Sequence, residues 1–74
     1  MGNLTLKYKV RTRLTVFRSD RGITQQDLAE AIGVTRATII AIEKENYNPS
    51  LELSFRLAKF FNTDIQSIFF IEEL

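Results

Sequence analysis

With 74 residues, 45% of them hydrophobic and 26% charged, the chain is sized for one small domain. It has no cysteine and no histidine, which excludes disulfides and argues against zinc, so stability has to come from apolar packing, including packing against a second copy. The net charge is only +1, but residues 1–25 carry Lys7, Lys9, Arg11, Arg13, Arg18 and Arg21 against Asp20 alone, while residues 60–74 carry Asp64, Glu72 and Glu73 with no base; either one pole faces phosphate and the other faces away, or the charges only keep a small domain soluble.

No apolar run approaches the ~18 residues that span a bilayer, and the first residues lack the apolar stretch of a signal peptide. A cytoplasmic address is expected. Met1-Gly2 matches a myristoylation start except that Leu6 stands where Ser or Thr is needed. Asn3-Leu4-Thr5 fits a glycosylation acceptor, which carries no meaning in a chain that is not secreted.

In chain order, Leu4, Leu6 and Tyr8 alternate with Thr5, Lys7 and Lys9, which predicts a short strand with one apolar face. From Val10 the period changes: Val10, Leu14 and Phe17 fall at i, i+4 and i+7, a helical stripe that Gly22 closes. Thr24 is placed as an N-cap with Asp27 three residues on, a variant capping box, and Leu28, Ala29 and Ile32 form the inner face of a second helix ending at Gly33. Thr35 caps a third helix running to about Lys44, with Thr38, Ile39 and Ile42 toward the core or its edge. Asn46-Tyr47-Asn48-Pro49 reads as a loop. Ser50 then caps a fourth helix whose apolar stripe is read as Leu51, Phe55, Ala58 and Phe61, with Asn62 in a left-handed stop. Asp64 caps a short fifth helix containing Ile65 and Ile68, and Phe69-Phe70-Ile71 reads as a short apolar strand that either pairs with residues 4–8 to close the chain's own core, meets a second copy, or does both.

Two short helices joined by a glycine-containing turn have the spacing of a helix-turn-helix, here at about residues 24–44. The small Ala29 lets the helices cross closely, Gly33 accepts positive φ, and Val34 and Ile39 pin the second helix so that its other face stays free. Catalysis finds no support: there is no thiol or imidazole and no glycine-rich phosphate loop, and Glu43 and Glu45 read as solvated surface.

These features together resemble the lambda-repressor/Cro-type, or Xre, family of helix-turn-helix domains. The resemblance rests on Leu14-x2-Phe17-Arg18, Gly22-Ile23-Thr24-Gln25, Leu28-Ala29, Gly33-Val34-Thr35-Arg36, Ile42-Glu43 and Tyr47-Asn48-Pro49-Ser50-Leu51, and it covers residues 14–69. Where the family usually has Asn-Gly after the glutamate, this chain has Lys44-Glu45, and Ile40 and Ala41 replace mid-helix polar residues.

The resemblance implies an all-α five-helix bundle over residues 1–74, extended by a small antiparallel β element from the two termini. It implies double-stranded DNA as partner, no cofactor, no small-molecule ligand and no catalysis. Thr35, Arg36, Ala37, Thr38 and Ala41 would meet base edges, with Arg36 suited to guanine and the alanine methyls to thymine. Gln25, Lys44, Asn46, Tyr47 and Asn48 would hold the DNA backbone. Arg18 and Glu43 would form a structural ion pair.

A homodimer reading a near-palindromic operator is expected, joined through the apolar group Ile65, Ile68, Phe69, Phe70 and Ile71. The function expected is a transcriptional regulator, read as a repressor. The alternative is an antitoxin-like module that neutralises a partner protein; such proteins carry a tail for the partner, and only five residues follow Phe69.

Overall fold

The computed structural model describes residues 5–74. Its elements run β1 (Tyr8–Thr12), α1 (Leu14–Asp20), α2 (Gln25–Ile32), α3 (Arg36–Glu43), α4 (Leu51–Phe60), α5 (Ile65–Ile68) and β2 (Phe69–Glu73). The architecture is thus mostly helical, with one two-stranded antiparallel sheet joining the ends of the chain. Met1-Gly2, the Asn3 acceptor and the Leu4 end of the expected strand lie outside the described residues.

Each helix begins where a side chain satisfies an orphan amide. Thr24 and Asp27 form the reciprocal capping box on α2, each bond 3.0 Å. Thr35 Oγ1 accepts from Thr38 N at 3.2 Å, Ser50 Oγ from Leu53 N at 3.1 Å, and Asp64 Oδ1 from Ser67 N at 2.8 Å. Gly33 ends α2 at φ 85, and Asn62 adopts φ 54 after α4. A side chain at position 33 would be strained at that φ and would also press on the Arg56 guanidinium, which donates to the Ile32 carbonyl at the end of α2.

The core gathers Leu14, Leu28, Ala29, Ile32, Ile39, Ile42, Leu53, Leu57, Ala58, Phe61 and Ile68, with Phe17, Ile23, Val34 and Phe60 against its rim. Four expectations are corrected here. First, Val10 belongs to β1, not to a helical stripe. The strand runs on to Thr12, whose hydroxyl bonds both the Ile68 carbonyl and the Leu14 amide, both at 3.1 Å, and so starts α1 in place of an N-cap side chain. The strands therefore pair Tyr8 with Glu73, Val10 with Ile71 and Thr12 with Phe69, rather than residues 4–8 with 69–71.

Second, α4 buries Leu53, Ser54, Leu57 and Ala58, while Leu51 and Phe55 are 70% and 58% exposed. The helix carries two apolar stripes, and a sequence period cannot say which one the bundle covers.

Third, the C-terminal apolar group is not one exposed patch. Ile68 is fully buried, Ile65 and Phe69 pack half-buried on the core, and Phe70 lies under the Arg13 guanidinium, 4.0 Å from its ring centroid. Ile68 thus has no area to offer a partner, and only Ile71 of the group stands clear, 57% exposed.

Fourth, the two charge poles meet. Lys9 pairs across the sheet with Glu72, and Arg11 Nη1 lies 3.2 Å from the Glu72 carboxylate. Antiparallel closure of the termini places the basic segment on the acidic one, because directly opposite residues share a face.

Candidate nucleic-acid interface

α3 is held on one side and open on the other. Ile39 and Ile42 are buried, and the α2–α3 turn fixes the start of the helix. Thr35, Arg36 and Ala37 are exposed and Thr38 and Ala41 half-buried, all on or beside the open face. The Thr35 and Thr38 hydroxyls bond each other at 3.0 Å. Arg36 makes no hydrogen bond or ion pair with the described residues, so its guanidinium is available to an external acceptor.

Beside it, Arg18, Ile23, Thr24, Gln25, Gln26 and Arg36 line a shallow groove of about 520 Å³ where the N-termini of α2 and α3 come together. The first two amides of α2 have no acceptor within the helix, and Gln25 and Gln26, which carry them, line this groove; unsatisfied helix-start amides suit an oxyanion.

The far end of α3 is set by an ion pair. Arg18 Nε donates to Glu43 Oε2 at 2.6 Å and Nη2 to Oε1 at 3.2 Å, a two-pronged contact, with the side chains 17% and 6% exposed. A third Arg18 nitrogen donates to the Ile23 carbonyl at 3.0 Å. Burial alone pushes the Glu43 carboxyl up, but its hydrogen bonds from Arg18 and Gln25 and the Arg18 charge outweigh burial and leave it below the ordinary range. Arg18 is held correspondingly more basic, chiefly by its hydrogen bond to Glu43. Glu43 is therefore not solvated surface.

Gln25 is engaged within the chain: its Nε2 donates to Glu43 Oε1 at 3.1 Å. The sequence also concealed Glu45. This residue sits at φ 62 in the turn after α3, where its carboxylate accepts from Thr12 N at 2.9 Å and Arg11 Nε at 3.0 Å. The Thr12 amide, foremost, and then Arg11 hold it below the usual carboxylate range against a smaller burial penalty. A non-glycine residue in left-handed geometry is uncommon, and its one visible sequence signal was glutamate standing where the family has glycine. Beyond it, Lys44, Asn46, Tyr47 and Asn48 are all exposed on the segment leading to α4.

The family model described as helix-turn-helix matches residues 17–68 of this chain. The chain belongs to the Xre-type helix-turn-helix family. An uncharacterized HTH-type transcriptional regulator of Methanocaldococcus jannaschii is 48% identical over 64 residues, covering 86% of this chain and 97% of that protein. The cryptic phage CTXphi transcriptional repressor RstR of Vibrio cholerae is 33% identical over 57 residues, covering 77% of this chain and 51% of that repressor. In fold, the crystal structure of the transcriptional regulator VanUg superposes with a TM-score of 0.76 at 21% identity, covering 100% of this chain and 99% of that one. The regulator is thus a DNA-binding protein of the helix-turn-helix class rather than an enzyme. No helix among its described residues is long and apolar enough to cross a membrane.

Proposed function

We propose that this regulator is a sequence-specific repressor with a lambda-repressor-like bundle, binding a near-palindromic operator as a homodimer. The observation that carries the reading is the open face of α3: Arg36 is unengaged and exposed while Ile39, Ile42 and the Arg18–Glu43 pair lock the rest of the helix. A rigid helix with one free guanidinium and adjacent methyls from Ala37 and Ala41 can read guanine and thymine in a major groove. Phosphate is met by the α2 N-terminus and by Lys44, Asn46, Tyr47 and Asn48. Repression is supported by the Vibrio relative's name.

One reading helix covers too few base pairs for a specific site, and two copies a helical turn of DNA apart double the information. The apolar area open to a second copy includes Leu51 and Phe55 of α4, with the groove of about 850 Å³ beside Phe55, Ala58 and Ile65, and Ile71 of β2. Selection of bound duplexes from a random library tests the whole reading. Two inverted half-sites about one turn apart are expected, together with sedimentation at twice the 8.6 kDa chain mass. Enrichment of no sequence, or a monomer on a single half-site, overturns it.

A further inference from the structure

From Lys7 to Arg13 every second residue is basic: Lys7, Lys9, Arg11, Arg13. A strand directs alternate side chains to one face, and three contacts place Lys9, Arg11 and Arg13 on it; the alternation carries Lys7, one residue before β1, to the same side. Arg11 pairs with Phe70 and reaches Glu72, Glu72 pairs with Lys9, and Arg13 stacks on Phe70. The carboxylates beside this stripe are Glu72 and Glu45, and Arg11 holds both. Lys7, Lys9 and Arg13 are exposed. The stripe is therefore cationic in excess even though the whole chain is nearly neutral.

Its position matters as much as its charge. Glu45 lies two residues beyond α3 and is fastened to Arg11 and to the Thr12 amide. β1 is thereby tied to the turn that follows the reading helix, next to Lys44 and Asn46. From Arg11 the strand carries Lys9 and then Lys7 outward in steps of roughly 6.6 Å, continuing the line of exposed donors away from the bundle.

We propose that this face of β1 is a second DNA-backbone surface. It lies along the phosphates flanking the half-site that α3 occupies, so that the terminal sheet lengthens the footprint without reading bases. The proposal rests on the DNA-binding reading above. A duplex is the partner that fits, because a straight row of cations spaced along an extended strand meets a straight row of anions. The competing role of these lysines is to keep the open edge of β1 from pairing with another chain.

The test is the double variant Lys7→Gln/Lys9→Gln, compared with Lys7→Arg/Lys9→Arg, on the selected operator and on a random duplex between 50 and 200 mM salt. Each lost phosphate contact lowers the slope of log affinity against log salt by about 0.9. The glutamine variant is expected to shed about two units of slope, making the salt-induced loss over that range roughly tenfold smaller. It should weaken both duplexes alike, while the arginine variant restores the slope. Circular dichroism melting of each variant confirms that the fold is kept. An unchanged slope in a folded glutamine variant overturns the proposal while leaving DNA binding intact. So does unchanged binding accompanied by aggregation, which assigns the lysines to edge protection. A wild-type chain that binds no duplex overturns the DNA-binding reading itself.

Discussion

Glu43→Ala removes the acceptor on which three elements converge. The carboxylate receives two Arg18 nitrogens from α1 and the Gln25 amide from α2, and it sits at the last residue of α3. Without it, an arginine side chain only 17% exposed keeps just the Ile23 carbonyl as partner. Breaking a buried pair from one side costs about 3–5 kcal/mol. The lower end applies, about 3 kcal/mol, because Arg18 retains that carbonyl and some water. In a domain of this size each kcal/mol moves the melting temperature by roughly 4–8 °C, so a fall on the order of 12–24 °C is expected by calorimetry or circular dichroism. Arg18→Met should fall similarly, and the double variant should fall by much less than the sum, the sign of direct coupling. A drop below about 4 °C in Glu43→Ala would refute the claim that this pair fixes the reading helix.

The same carboxylate sets an acid limit. Its folded pKa lies below the unfolded value, so its contribution to stability is full above the unfolded value of about 4.3 and is lost as pH falls through the folded one; Glu43→Gln should flatten the loss of stability below about pH 4, and an equally steep loss would deny Glu43 a part in it. Arg36→Ala is expected to lose about 1–3 kcal/mol of discrimination between operator and random duplex, measured by competition binding, with melting unchanged; equal loss on both duplexes would move Arg36 to the backbone. Gln25→Ala should melt lower, by about 1.5–3 kcal/mol for a hydrogen bond to a charged partner, and keep its duplex binding, because the substitution leaves the α2 backbone amides in place; unchanged melting would mean the bond to Glu43 is not formed in solution. At position 45, where φ is 62, Glu45→Gly should be more stable in urea than Glu45→Ala, since both lose the Arg11 and Thr12 bonds and only alanine keeps the strained geometry; the reverse order would argue against left-handed geometry there.

Among the site residues, those on α3 were legible because a helix start and an inward stripe define its outer face by subtraction. Thr35 marks where the helix begins, Ile39 and Ile42 mark what it buries, and Arg36 is then obliged to face outward. The pairing of Arg18 with Glu43 came from the family likeness, since 25 residues separate them and no local period links the two. Gln25 was placed on the right helix turn, but the bond from its side chain to Glu43 was not legible. The acceptor that claims it, Glu43, belongs to another helix, and two helix faces meet only after packing. Glu45 was read as solvated surface for the same reason, since the strand amide that donates to its carboxylate lies 33 residues earlier.

Features that act within about one turn of chain are legible in adjacent residues. Thr24, Thr35, Ser50 and Asp64 cap helices through bonds to the amide three residues on, and Gly33 and Asn62 stop them by tolerating positive φ. Where two local answers were equally good, packing of the whole chain made the choice. Leu51 and Phe55 make as sound an apolar stripe as Leu53 and Leu57, and the bundle covered the second. Val10 suited a helix or a strand, and pairing with Ile71 settled it as strand. Basic and acidic termini read as opposite poles until the sheet laid Lys9 and Arg11 against Glu72. The physical reason is common to all three. Caps and turns act over a few bonds, so their outcome is contained in adjacent residues, whereas burial and charge pairing depend on which surfaces the whole chain brings together.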